Sequence, residues 1–213
     1  MIKTVIWDFN GTLLSDMQIS MEAMNTVLSR RSLPPIPSLS HFRALFGFPV
    51  EDYYRRLGLD FDKEPYKIPA DEWVELYSAK MFDSPLTPGA FEALTMLREA
   101  GICQIVLSAS ERGRLTSHLE RLGISHFFDE IHGTDDVYAH GKAFLADELS
   151  RRSELFPAVL IGDTDHDLLC AERIGCRAEL FCGGFMSRER LLAISPSVSE
   201  SLTEIADKII NNY

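Results

Sequence analysis

The chain has 213 residues, 46% hydrophobic and 25% charged, with a formal net charge of −11. That length buries a sizeable core, and the acidic balance excludes nucleic acid and anionic membrane as general partners, since both need clustered cations. No run of about twenty apolar residues occurs and no signal-peptide core precedes the first strand, which predicts a cytoplasmic protein with no membrane partner.

The chain opens on Ile2, Val5, Ile6 and Trp7, a short β-branched and apolar run suited to a fully buried parallel strand. Asp8 stands at its carboxyl end, where open α/β sheets bind ligands. Phe9, Asn10, Gly11 and Thr12 follow as a turn, with a glycine for close backbone approach and a hydroxyl able to meet an anion. Alone, an Asp in such a place is equally a turn or cap residue.

The pattern then becomes helical. Met17, Ile19, Met21, Met24, Val27 and Leu28 predict an amphipathic helix ending near Arg31, before Pro34, Pro35 and Pro37. Segments 40–46, 50–57 and 70–82 also read as helices, with loops at Gly47-Phe48-Pro49 and over 58–69. No strand pattern falls between 15 and 86. The expectation is a core of 1–14 and 87–213, split by an all-helical cap of 15–86. Arg43, Phe46, Phe48 and Tyr53 are the cap residues that could line a substrate pocket, although aromatics at such spacing more commonly pack a core.

From Pro88 onward strands and helices alternate. Helices are predicted over 90–100, 111–122, 142–151 and 165–174, the first, second and fourth stopped by Gly101, Gly123 and Gly175. Strands are predicted over 102–107, 127–132, 158–162 and 178–182, and two helices near 187–194 and 201–211 close the chain. Repeated βα units predict a three-layer, Rossmann-like α/β core with a parallel sheet. The four cysteines, Cys103, Cys170, Cys176 and Cys182, lack CxxC spacing and sit in or beside apolar runs, which reads as buried reduced thiols.

The carboxyl ends of the predicted strands carry Asp8, Ser108 and Asp163, the last within Gly162-Asp-Thr-Asp-His-Asp167, and Lys142 opens a helix. Two acidic strand ends converging on one point would hold Mg²⁺ through oxygen ligands, and a cation would offset the repulsion between a carboxylate nucleophile and an anionic substrate. A hydroxyl and an ammonium would hold phosphate oxygens. Together they describe a phosphoryl-transfer site.

These four motifs in this order resemble the haloacid dehalogenase superfamily, in the group with a helical cap after the first motif. Asp8 to Thr12 resembles the first motif, Ser108 the second, Lys142 the third, and Asp163 with Asp167 the fourth. The resemblance implies that Asp8 is the nucleophile and that Asp8, Asn10 and Lys142 are catalytic. It implies Mg²⁺ bound by the Asp8 carboxylate, the Asn10 backbone carbonyl and Asp163, with Asp167 supporting the metal from behind. Phosphate would meet Gly11, Thr12, Ser108, Ala109 and Lys142. Lys67 and Lys80 are rivals for the lysine role.

One residue departs from the pattern. Phosphatases of this superfamily usually carry a second aspartate two residues after the nucleophile, to protonate the leaving group and then activate water; here Asn10 does neither. General acid–base catalysis supplies about 10²–10⁴-fold. The expected function is a Mg²⁺-dependent phosphatase acting on a small phosphorylated substrate. The alternatives are dehalogenation or phosphonate cleavage on the same fold, or a phosphometabolite-binding regulator with little turnover. Asp16 could replace the missing acid, but capping at the hinge is the expected role; Asp165 reads as a first-turn acid and His166 as a surface or supporting residue.

Overall fold

The computed structural model describes residues 1–134 and 142–212. Six strands, β1 (Thr4–Trp7), β2 (Cys103–Glu111), β3 (Glu130–Thr134), β4 (Ala158–Gly162), β5 (Arg177–Phe181) and β6 (Val198–Ser199), form one sheet in the order β3-β2-β1-β4-β5-β6. Every pairing is parallel. The order reverses direction on either side of β1, so the crevice at its carboxyl end is the topological switch point.

The sheet is covered on both faces because alternate side chains point opposite ways. Val5 and Trp7 of β1 pack with Leu94 and Leu97 of α5 (Ala90–Glu99), Leu115 and Leu119 of α6 (Arg112–Arg121) and Ile205 and Ile209 of α10 (Leu202–Asn212). Ile6 turns to the other face, with Ala146 and Leu149 of α7 (Ala143–Leu149) and Ala171 and Ile174 of α8 (Asp165–Ile174). Val5, Ile6 and Trp7 are fully buried, and burying each such side chain contributes roughly 1.5–3 kcal/mol. The Trp7 indole N–H donates to Gln104 Oε1 at 2.9 Å, and Gln104 Nε2 donates to the Leu94 carbonyl, so the polar atoms buried beneath β1 are satisfied.

Between 15 and 86 the regular elements are helical: α1 (Met17–Ser29), α2 (Leu39–Leu45), α3 (Val50–Arg56), α4 (Lys67–Ser78) and a short 3₁₀ turn, Met81–Asp83. Their core is Met21, Met24, Val27, Leu28, Phe42, Tyr53 and Tyr54. The two connectors lie side by side. Ser15 N–H donates to the Pro85 carbonyl and Thr87 N–H to the Leu13 carbonyl, both at 2.9 Å, with Leu14 bridging Leu86 between them.

Several boundaries differ from the sequence reading. α4 starts three residues before the expected Ala70, because Pro69 falls in the first turn, where its missing N–H has no partner to lose. It ends at Ser78, and the chain continues in the separate 3₁₀ turn. β2 runs past Leu107 to Glu111 through a register shift against β3, with Gly133 so close that a Cβ there would lie 2.8 Å from the Ser110 carbonyl. Pairing with β3 extends a polar segment that reads as loop. Residues 125–127 form a 3₁₀ turn rather than a strand start, and the two-residue β6 is too short for any sequence pattern. The final two helices are α9 (Arg188–Leu192) and α10. All four cysteines are free, but only Cys170 and Cys182 are buried; Cys103 and Cys176 are half-buried.

His118, on α6, is completely buried, and neither ring nitrogen has a hydrogen-bond partner among the described residues. It packs against Phe9 and Phe82 with centroids at 5.3 and 4.9 Å. Burial, reinforced by the charge of Arg121, pushes its pKa from 6.5 down to about 4. The unfolded chain therefore binds this proton more readily, and stability present above pH 6.5 is lost as pH falls toward 4. His118→Leu should flatten the fall of Tm with acid, with a difference on the order of 2 kcal/mol at the acid end. Parallel Tm–pH curves for the two proteins would show that His118 does not drive the loss.

Candidate active site

Asp8 follows the last residue of β1 and its N–H donates to the Ile161 carbonyl of β4 at 2.8 Å. The β1–β4 register pairs Trp7 with Ile161, which brings Asp8 and Asp163, each just past its strand, to the same end of the sheet. Asp8, Asp163 and Asp167 each present a carboxylate oxygen, and the three atoms lie within 4.8 Å of one another. All three residues are buried. Lys142, at the residue before α7, enters the same point, donating from Nζ to Asp8 Oδ1 at 2.5 Å and to Asp167 Oδ1.

The charges explain the shifts. Burial raises the Asp8 carboxyl to about 6, against the pull of Lys142. Asp163 is pushed well above the carboxylate range by burial and then by Asp8 and Asp167. Burial would lift Asp167 too, but Lys142 outweighs it and the net shift is downward. Burial opposes the charged form of Lys142, yet Asp167 and Asp8 hold its pKa above the ordinary lysine value. Three carboxylates against one ammonium leave an excess of negative charge in a buried space, and that donor set suits a hard divalent cation with oxygen ligands.

Asp163 is tightly enclosed. Thr12 Oγ1 donates to its Oδ1 at 3.1 Å and Phe185 N–H to its Oδ2 at 2.5 Å. A Cβ on Gly11 would come within 2.4 Å of that Oδ2, and one on Gly184 within 2.1 Å. Both glycines are thus required by close approach, and Gly11 also sits at φ +80. Asp167 is occupied differently: its Oδ2 accepts from Asp163 N–H, Thr164 N–H and Thr164 Oγ1, forming a capping box at the start of α8. With its other oxygen on Lys142, Asp167 orients its neighbours rather than facing the crevice.

The phosphate candidates are less uniform. Ser108 is buried in β2, two residues beyond Val106, which pairs Trp7, and its Oγ accepts from Ser110 N–H at 3.1 Å. Ala109 is exposed, and its carbonyl accepts from Thr134 Oγ1. The N–H of Gly11 is already donated to the Leu14 carbonyl and to Asp16 Oδ1, each at 2.9 Å, so what Gly11 offers is space. The Thr12 hydroxyl is turned onto Asp163.

Asn10 is the centre of a second cluster. Its Nδ2 donates to Asp16 Oδ2 at 2.9 Å and contacts Tyr77 Oη at 2.8 Å, while its Oδ1 accepts from Ser110 Oγ at 2.9 Å. Tyr77 Oη donates to Asp16 Oδ2 at 2.5 Å. Asp16 is the residue before α1, but its side chain does not cap the helix, contrary to expectation. The donors around it draw it away. Burial raises its pKa, against the hydrogen bonds from Tyr77, Asn10 and Gly11. Tyr77 and Ser110 carried no sequence signal beyond Ser110 lying two residues after Ser108.

The helical segment meets the crevice from above. Arg43 Nη2 donates to the Gly183 carbonyl at 2.7 Å, and Phe48 stacks on His166 at 4.7 Å. Phe46 packs on Phe185 at 4.8 Å, whereas Tyr53 is buried in the helical core with a hydroxyl that has no partner among the described residues. Asp165 lies in the first turn of α8 as expected. Lys67 pairs with Asp71 at 2.6 Å and Lys80 with Glu22 at 3.5 Å on the helical segment's surface, so neither competes with Lys142. Among the described residues no helix is long and apolar enough to cross a membrane.

A family model described as haloacid dehalogenase-like hydrolase matches residues 5–180. The phosphoglycolate phosphatase of Caulobacter vibrioides is 27% identical over 190 residues, 85% of this chain and 80% of that protein. The probable phosphatase IndB of Dickeya dadantii is 27% identical over 202 residues, 91% of this chain and 87% of its own. Among solved structures, a haloacid dehalogenase-like family hydrolase from Streptococcus pneumoniae superposes with a TM-score of 0.81 at 23% identity, covering 98% of both chains. A predicted phosphatase from Clostridium acetobutylicum gives a TM-score of 0.80 at 20% identity over 99% of both. At these identities the two structures bear on the fold alone.

Proposed function

Because the chain belongs to the haloacid dehalogenase-like hydrolase family, we propose that it is a Mg²⁺-dependent phosphatase whose Asp8 attacks a small phosphate ester of the cytoplasm. The observation that carries this reading is the meeting of Asp8, Lys142 and Asp163 at the switch point of the sheet. Segment 15–86 is the cap, and 1–14 with 87–213 the core. When bound, Mg²⁺ supplies charge neutralisation for the attacking carboxylate and the phosphoryl oxygens. Asp8, Asp163 and the Asn10 carbonyl would hold it, with Asp167 fixing Asp163 and Lys142 from behind.

Asp8 Oδ attacks phosphorus, the ester oxygen leaves, and an aspartyl-phosphate forms on Asp8; water then attacks that phosphorus and frees the carboxylate. Lys142 holds Asp8 and the transferring phosphoryl group, and Ser108 with the Ala109 backbone receives its remaining oxygens. Arg43, Phe46 and Phe48 bring the cap against the crevice and exclude water. The amide of Asn10 supplies no proton, so leaving groups that need none are favoured.

A panel of phosphate esters assayed with and without Mg²⁺ tests this reading, and the names of the curated relatives make phosphoglycolate the first to try. Metal-dependent phosphate release is expected. Stabilisation by an ester without release would instead favour a binding protein. Asp163→Asn should remove the Mg²⁺ response and reduce activity by at least about 10²-fold with the fold retained. Wild-type metal response in that variant would reject the assigned metal ligand.

A further inference from the structure

The Asn10 side chain makes hydrogen bonds to three separate parts of the chain, with both N–H groups and its carbonyl oxygen in use. Its two N–H groups face Asp16, at the entry to the cap, and Tyr77, on α4 of the cap; its carbonyl oxygen accepts from Ser110 of β2 in the core. Asp16 gathers the arrangement by accepting from Asn10, Tyr77 and the Gly11 N–H at 2.5–2.9 Å. Tyr77 is itself fixed, with its ring stacked on Trp73 at 4.8 Å and 9° between planes, and Trp73 Nε1 donates to the Ser20 carbonyl of α1. The residue two places after the nucleophile is therefore held by a rigid piece of the cap.

We propose that Tyr77 and Asp16 are positioning residues for Asn10, so that the backbone turn carrying Asp8 reaches its working geometry only when the cap is seated. This rests on the phosphatase reading above. If the cap lifts, Tyr77 leaves with α4, and Asn10 keeps Asp16 and Ser110 but loses the contact that joins them to the cap. The Asn10 to Thr12 turn then relaxes around Gly11, whose N–H shares Asp16 with the amide. Asn10 thus serves as the core's sensor of cap closure, a role open to an amide because it can donate to the hydroxyl and the carboxylate at once, which an ionised carboxylate cannot.

Tyr77→Phe removes only the hydroxyl and keeps the ring on Trp73. With p-nitrophenyl phosphate and Mg²⁺, its kcat should fall roughly tenfold with KM within about twofold, since the loss disturbs the geometry of the turn carrying Asp8 rather than substrate binding. In an Asn10→Ala background the same change should have no further effect on kcat, because the residue it positions is gone. Ser110→Ala repeats the test from the core side, should Tyr77→Phe fold poorly, and predicts the same dependence on Asn10. A raised KM with unchanged kcat, or an equal fall in kcat in both backgrounds, would overturn the proposal. Absence of wild-type turnover would overturn the phosphatase reading instead. In that case the latch is decided by the same double-mutant cycle read from Tm: a smaller shift for Tyr77→Phe without Asn10 supports it, and equal shifts reject it.

Discussion

Asp8→Asn should abolish turnover on every phosphate ester while leaving the fold intact. An amide is far too weak a nucleophile toward phosphorus, and among the described residues no second carboxylate at the crevice is free to replace it. Asp163 is enclosed by Thr12, Phe185 and two glycines, and both oxygens of Asp167 are engaged. Enzymes with a covalent step accelerate by many orders of magnitude, so a loss of at least about 10⁴-fold is expected. Beryllium or aluminium fluoride with Mg²⁺ should raise the Tm of the wild type and not that of the variant. Equal turnover in both proteins would assign the chemistry to another group.

Exchanging Asn10 and Asp16 should have the opposite effect. Asn10→Asp alone sets a second carboxylate 2.9 Å from the buried Asp16, and like charges at that spacing cannot both ionise. That variant should lose several degrees of Tm at neutral pH. Adding Asp16→Asn restores one amide and one carboxylate at nearly constant volume, with their order reversed. The titratable group then stands two residues after Asp8. The double variant should recover Tm and hydrolyse alkyl phosphates faster than the wild type, by up to the roughly 10²–10⁴-fold that general acid–base catalysis supplies. The wild type should prefer aryl and acyl phosphates and show a burst of product, because hydrolysis of the aspartyl-phosphate is its unaided step. A wild type already fast on alkyl esters without a burst, and a double variant no faster, would remove Asn10 from the explanation.

The meeting of acids at the strand ends was legible because its signal is local. An apolar β-branched run followed by an acid announces a buried strand and its crevice residue within a few positions, and Asp8 and Asp163 need nothing more. Lys142 was legible by motif order, and its contacts confirm only that it reaches both carboxylates. What stayed hidden depends on contacts between distant segments. Tyr77 looks like one more helical aromatic until α4 is laid against the hinge, and Asp16 looks like a cap until three donors surround it. The extension of β2 through Ser108 to Glu111 depends on the presence of β3, which overrides a polar local sequence. Conversely, Gly11 was read as a phosphate-facing turn, whereas its N–H points to Leu14 and Asp16 and its bare Cα makes room for Asp163.

The paired connectors at Leu13–Ser15 and Pro85–Thr87 leave the core and return to it within one rung of a ladder. A two-stranded ribbon bends readily across its width and resists shear along its length, so movement of the helices, where it occurs, is expected as a swing about one axis rather than a slide over the crevice. Closure entropy for the whole insertion is met at one narrow neck, whose cost changes little with the length enclosed. On the proposed reading of 15–86 as a cap, such a neck would make it an exchangeable cassette: a tight turn spliced between Leu14 and Leu86 would leave the sheet and its bonds unbroken, and a foreign helical bundle grafted at the same rung would inherit the same neck.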